Sequence, residues 1–221
     1  MAENILYDKD IREPLFEFLE EKFGKIRIFE EKQIGKSRAD VVMITPTDIC
    51  GIEIKSDADT YTRLSRQVKD YNSHYDLNYV VVGSSHALHV KEHVSEWWGI
   101  ITVELDETEK VDFYVLREAV ENPQVDPKEK IGVLWRPELC HILEKNDLPK
   151  YARESKVFVQ DKILAKVPGE ILWPMVCEEL FERDYTTIHD KINEFRQAIG
   201  QKKRRRKSYR RKRKNTTKGK S

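Results

Sequence analysis

The chain has 221 residues, 36% of them charged and 39% hydrophobic, with a formal net charge of +1. That length holds one sizeable domain, or one plus a small second unit; with no apolar run long enough to span a bilayer and no secretory n- and h-region at the start, a soluble, cytoplasmic protein is expected. The near-neutral total hides an asymmetry: residues 202–221 carry 13 Lys/Arg and no acid, which leaves the preceding residues with 27 basic against 39 acidic, a balance of −12.

The first helix is expected over residues 10–23, where Ile11, Leu15, Phe18, Leu19 and Phe23 form one stripe and Gly24 ends it. Residues 26–31 read as a strand and Gly35-Lys36 as a turn. Two apolar runs, 37–44 and 49–55, then flank Thr45-Pro46-Thr47-Asp48, a hairpin signal. Centring that turn between Pro46 and Thr47 sets Asp40 opposite Glu53, and strand alternation puts Lys55 on the face of Glu53. Two carboxylates about 5 Å apart repel unless a cation lies between them. Hard oxygens suit Mg2+, and a neighbouring lysine can orient or activate water and neutralise developing charge. Such charges often sit on a solvated sheet face. Here Ala39, Val41, Val42, Met43, Ile44, Ile52 and Ile54 predict strands buried on both faces, where unpaired charge is costly. The residues therefore point to metal-assisted phosphodiester hydrolysis.

A second helix is expected over 60–75, capped by Asp57 or Asp59, with Leu64, Val68, Tyr71 and Tyr75 as its apolar stripe. Residues 78–83 read as a buried strand, 87–94 as a short helix, 97–103 as a turn into a strand whose Trp97-Trp98 pair belongs to the core, and 111–116 as an edge strand. Residues 121–127 break the pattern and are the expected domain boundary; helices follow at 136–144, 155–167, 169–181 and 187–199. Cys50, Cys140 and Cys177 have no zinc spacing and read as reduced core thiols.

The order α-β-β-β-α-β, with Asp40 on the second strand and Glu53-x-Lys55 on the third, resembles the PD-(D/E)xK nuclease superfamily. Arg38-Ala39-Asp40-Val41 is similar to its first motif, with Ala39 where Pro is common, and Glu53-Ile54-Lys55-Ser56 to its second. Gln67-x-x-x-Tyr71 resembles the Q-x-x-x-Y motif of RecB-like members; the two residues share a helical face. Gly51, Arg63-Leu64, Trp97-Trp98-Gly99-Ile100 and Leu134 to Leu139 extend the resemblance to an uncharacterised bacterial and phage nuclease-like family, as far as about residue 183. The resemblance implies a restriction-endonuclease-like α/β core over 1–118, a mixed sheet flanked by helices, then a helical region over 119–200 and a disordered basic tail over 201–221. It implies Mg2+, or Mn2+, held by Asp40, Glu53 and the carbonyl of Ile54, with Lys55 at the attacking water. An upstream acidic ligand is also expected: Glu31, with Glu17 and Glu21 as alternatives. Arg63, Gln67 and Tyr71 are the expected nucleic-acid contacts. The helical region either resembles a SAP-type helix-turn-helix, through Leu139, Ile142, Leu143, Leu148, Ser155-Lys156 and Ile163, or caps the core.

The tail residues Lys202, Lys203, Arg204, Arg205, Arg206, Lys207, Arg210, Arg211, Lys212, Arg213 and Lys214 lack apolar periodicity and read as a sequence-independent phosphate anchor or as a charge-balancing segment. The function expected is a Mg2+-dependent deoxyribonuclease. The alternatives are a non-catalytic nucleic-acid-binding protein on a nuclease fold and an assembly factor whose tail binds RNA. Expected partners are nucleic acid, DNA first, and no membrane; a homodimer is left open.

Overall fold

A computed structural model describes residues 6–183. The basic run at 202–214 and the helix expected at 187–199 lie outside the described residues. Helix α1 (Asp8–Phe23) is followed by strands β1 (Arg27–Ile34), β2 (Ser37–Ile44) and β3 (Ile49–Lys55), helix α2 (Leu64–His74) and strand β4 (Leu77–Gly83). Strands β5 (Gly99–Leu105) and β6 (Val111–Arg117) complete one six-stranded mixed sheet in the order β1-β2-β3-β4-β5-β6. Then come α3 (Pro127–Gly132), α4 (Arg136–Lys145), α5 (Lys156–Lys166) and α6 (Gly169–Phe181). The expected α-β-β-β-α-β core is therefore present, and helices flank the sheet.

β1, β2 and β3 are antiparallel neighbours, β3-β4 and β4-β5 are parallel, and β6 returns antiparallel to β5. The β3-β4 pair needs a crossover, which α2 supplies. This makes β3 a central strand, and all seven of its residues are buried. Its even-numbered apolar residues Cys50, Ile52 and Ile54 pack with Ile11, Leu15 and Leu19 of α1. Its other face meets α2. Gly51 permits that approach: a Cβ there would come within 2.2 Å of the Tyr75 ring and 2.6 Å of the Tyr71 ring. The strands are apolar on both faces, so Glu53 and Lys55 are charges set inside a core.

The helical region continues the α2-side core. Leu139, Ile142, Val159, Ile163 and Val176 belong to the same buried cluster as Phe29, Ile44 and Tyr71. The segment read as a boundary is tied to α2: the Asn122 amide donates to the carbonyls of Asn72 (2.8 Å) and Tyr75 (2.7 Å). At the far end, Arg183 is fully buried and donates from Nε and one terminal nitrogen to Glu138 (2.6 and 2.7 Å), over the rings of Trp135 and Phe29. The described residues form one compact unit.

Two local expectations differ from the structure. The short helix at 87–94 is a 3-10 turn at Val90–Glu92 between other turns. Only Val90 and Val94 of that stretch are buried hydrophobics, too little apolar face to support an isolated helix of eight residues. α3 was not expected; it begins at Pro127 behind an Asp126 cap and has six residues, too few to show a helical period. Of the cysteines, Cys50 and Cys177 are buried and Cys140 is half-buried. Among the described residues no helix is long and apolar enough to cross a membrane.

Candidate active site

The β2-β3 register pairs Val41 with Ile52 and Val42 with Gly51, so Asp40 stands opposite Glu53, as the turn-centring argument requires. At that point the two backbones part. The amide of Ile54 donates to Asp40 Oδ2 (2.9 Å), the Asp40 amide donates to the Tyr71 hydroxyl (3.1 Å), and the Asp40 carbonyl accepts from the Arg12 guanidinium (3.3 Å). The carboxylate of Asp40 thus takes the place of a ladder partner at the mouth of a cleft of about 520 Å3 lined by Asp40, Glu53, Ile54 and Lys55 among others.

Glu53 is wholly buried and fully engaged. Lys55 Nζ and Gln67 Nε2 both donate to its Oε1, and the Tyr71 hydroxyl donates to its Oε2 (2.8 Å). Lys55 is also buried, 3.5 Å from the Ile54 carbonyl. Gln67 and Tyr71 were expected to hold a substrate strand. The structure turns both inward to Glu53, one helical turn apart on the same face of α2, with Tyr71 0% exposed and Gln67 in the lining of the cleft. Burial, reinforced by the charges of Glu53 and Asp40, holds the Tyr71 hydroxyl well above its ordinary pKa, so it stays a proton donor. Tyr71 also joins the two acids, accepting from the backbone of Asp40 while donating to the side chain of Glu53.

Asp40 is the most perturbed carboxyl of the site. Burial first, and the charge of Glu53 second, push it up to about 7, against the opposing Ile54 amide and Lys55. Its Oδ1 has the Arg12 guanidinium at 3.8 Å. Arg12 was not singled out from the sequence; the only signal was its i,i+4 spacing from Asp8, to which it is bonded at 2.8 Å. Burial lowers the Arg12 pKa, but Asp8, Glu31 and Asp40 outweigh it, and the guanidinium is held charged.

Glu31 lies opposite Asp40, between the paired positions Glu30/Val41 and Lys32/Ala39. It has φ +54°, a left-handed conformation that costs a non-glycine residue energy. Its carboxylate is shared by Arg12 (2.6 Å) and Arg38. Glu17 and Glu21 are exposed on α1 and do not line the cleft. Arg63 does line it, together with Lys36, Arg38 and Arg66, which the sequence reading left without a role. Among the described residues no three His, Cys, Asp or Glu side chains are gathered as a metal cage. Where β2 and β3 diverge, the cleft offers the carboxylates of Asp40 and Glu53 and the Ile54 carbonyl, all hard oxygens, with the Lys55 ammonium already on two of those three groups. That donor set fits a hard divalent cation that keeps several waters.

Fold and site together define a mixed α/β protein with an acid–acid–lysine cleft at the point where two central strands diverge. The family model described as Bacteriophage P4 protein cII matches residues 1–211, and the chain belongs to that family. Among solved structures, the chain is similar to that titled "The structure of Pyrococcus Furiosus SfsA in complex with Ca2+", with 14% identity, a TM-score of 0.34 and 52% of this chain covered. The similarity takes in 65% of that protein's length. No curated protein matches.

Proposed function

We propose that the protein is a metal-dependent nuclease of the PD-(D/E)xK type that hydrolyses phosphodiester bonds of DNA. The observation that carries the reading is the convergence of Asp40, Glu53 and Lys55 at one cleft, with the Asp40 carboxyl raised to about 7 by burial and by Glu53. A site that resists ionising its second acid gains most from a cation. Asp40, Glu53 and the Ile54 carbonyl would hold Mg2+ or Mn2+, which when bound supplies an acidified water and charge neutralisation at the phosphate. Lys55 orients the attacking water and stabilises the charge that develops on the phosphoryl oxygens. Gln67 and Tyr71 are positioning residues: their three contacts fix the Glu53 carboxylate and tie it to the Asp40 backbone. The basic segment at 202–214 raises local affinity for nucleic acid through phosphate contacts.

A second reading, nucleic-acid binding without hydrolysis, is favoured by one observation: both oxygens of Glu53 are already bonded to protein donors. The two readings separate on incubation with linear, nicked, branched and single-stranded DNA in Mg2+, in Mn2+ and in EDTA. Strand scission only with metal supports the nuclease. Retention of DNA with no scission in any metal overturns it in favour of the second reading.

A further inference from the structure

The two walls of the cleft differ in how their charges are spent. On the α1 side, Arg12 is bonded to Asp8 (2.8 Å), Glu31 (2.6 Å) and Glu30 (3.3 Å), and Arg38 is bonded to Glu31. Two cations face three acids there, so both cations are already paired and the wall is left net negative. On the α2 side, Arg63 and Arg66 are exposed, line the cleft and make no ion pair among the described residues. They are three residues apart, about one helical turn, and line the cleft together with Gln67, which donates to Glu53. Lys36 lengthens the row. Its amide donates to the Asp70 carboxylate (3.2 Å), one turn beyond Arg66, so the β1-β2 turn brings the exposed Lys36 side chain to the same wall. The turn can dock there because residue 35 is a glycine: at φ +47°, a Cβ would meet the Asp70 carboxylate at 2.8 Å. Asp59, the other acid at this wall, is turned to the amide and hydroxyl of Ser56 (3.0 and 2.7 Å). Three free cations against two internally bonded acids leave the α2 wall positive.

We infer that the cleft takes a single nucleic-acid strand laid along its α2 wall, with Lys36, Arg63 and Arg66 as the phosphate contacts and the α1 wall repelling the backbone. The inference rests on the nuclease reading of the same cleft and adds the course and form of its substrate. A phosphate chain on that row passes directly over Gln67 and the Glu53–Lys55 pair, which sets one linkage at Asp40. The volume of about 520 Å3 falls in the range of pockets for one drug-sized molecule, which suits one or two nucleotides of a strand and not the paired width of a duplex. The body's net charge of −12 makes such a local positive row the feature that selects where a polyanion enters.

The test uses the full chain in EDTA, so that binding is read without turnover. A short single-stranded oligonucleotide with a photoreactive base is crosslinked and the modified peptides are mapped, for wild type and for the triple variant Lys36→Gln/Arg63→Gln/Arg66→Gln. The wild type is expected to crosslink within 33–38 and 60–70, and the variant to lose those crosslinks at an unchanged melting temperature. The slope of log affinity against log salt is expected to fall by about 2 in the variant, at about 0.7 for each single-strand phosphate contact removed. Crosslinks confined to residues 8–12 or to 202–221, or a salt slope unmoved by the triple substitution, overturn the inference. Hydrolysis with crosslinks on the wrong wall refutes the strand path and spares the nuclease reading. Crosslinks on the α2 wall with no hydrolysis in Mg2+ or Mn2+ uphold the path and refute the nuclease.

Discussion

Replacing Asp40 by Asn changes how stability depends on pH, and the sign of that change follows from the site. The Asp40 carboxyl has an ordinary pKa of 3.8 and is raised to about 7 in the fold by burial and by Glu53. Between those two values the folded state holds a proton that the unfolded state has released. The metal-free protein therefore loses stability as pH rises from about 4 to about 7, and the loss is complete above that window. At about 1.4 kcal/mol per pH unit the upper limit is about 4 kcal/mol. Asn mimics the protonated acid: its carbonyl oxygen can still accept from the Ile54 amide, and it carries no charge to oppose Glu53. Urea denaturation in EDTA at pH 4 and pH 8 is the assay. Near pH 4, close to the ordinary pKa of the carboxyl, the two proteins should have similar stability, while at pH 8 Asp40→Asn should be the more stable by up to that limit. Parallel pH profiles for the two proteins, or a mutant weaker at pH 8, would refute the argument that Asp40 is an ionisation strained by its neighbour.

Tyr71→Phe removes a buried hydroxyl that bonds both acids and should cost about 1.5–3 kcal/mol in a denaturant titration, because one lost partner is a carboxylate; a cost below about 0.5 kcal/mol would mean the link between Asp40 and Glu53 is not maintained. Arg183→Met strands the buried carboxylate of Glu138 and should destabilise by about 3–5 kcal/mol, measured the same way, whereas Arg183→Met combined with Glu138→Leu should recover most of it. Deleting the residues after Gln201 takes away 13 cations; if about half of them engage phosphates, the salt slope for duplex DNA drops by about 6, and an unchanged slope would place the anchor in the body.

The hairpin was legible because its information is local. A Pro-bearing turn between two apolar runs sets the register, and the register alone puts Asp40 across from Glu53. The element order through β4 followed from period and punctuation in the same way. The direction of Gln67 and Tyr71 was not legible. An i,i+4 pair defines a shared face, but whether that face meets solvent or β3 depends on Gly51, whose missing side chain lets the α2 aromatics close on the strand. Arg12 was equally hidden: twenty-eight residues separate it from Asp40 in the chain, and only the packing of α1 beside β1 and β2 brings its guanidinium to the carboxylate. The left-handed backbone at Glu31 carries no compositional sign, since glycine or asparagine would be the usual occupant.

Lys55 carries the proposed chemistry most directly. Its ammonium lies on the Glu53 carboxylate and near the Ile54 carbonyl, at the groups that would hold the metal and beside the place of the reacting phosphate. Single-turnover cleavage of DNA in Mg2+ should be slower by at least about 10²-fold in Lys55→Ala than in wild type, the range for a positioned electrostatic or acid–base group, with DNA binding retained. Circular dichroism on the same sample checks that the variant is folded despite the buried Glu53. Cleavage by folded Lys55→Ala at the wild-type rate would contradict the account.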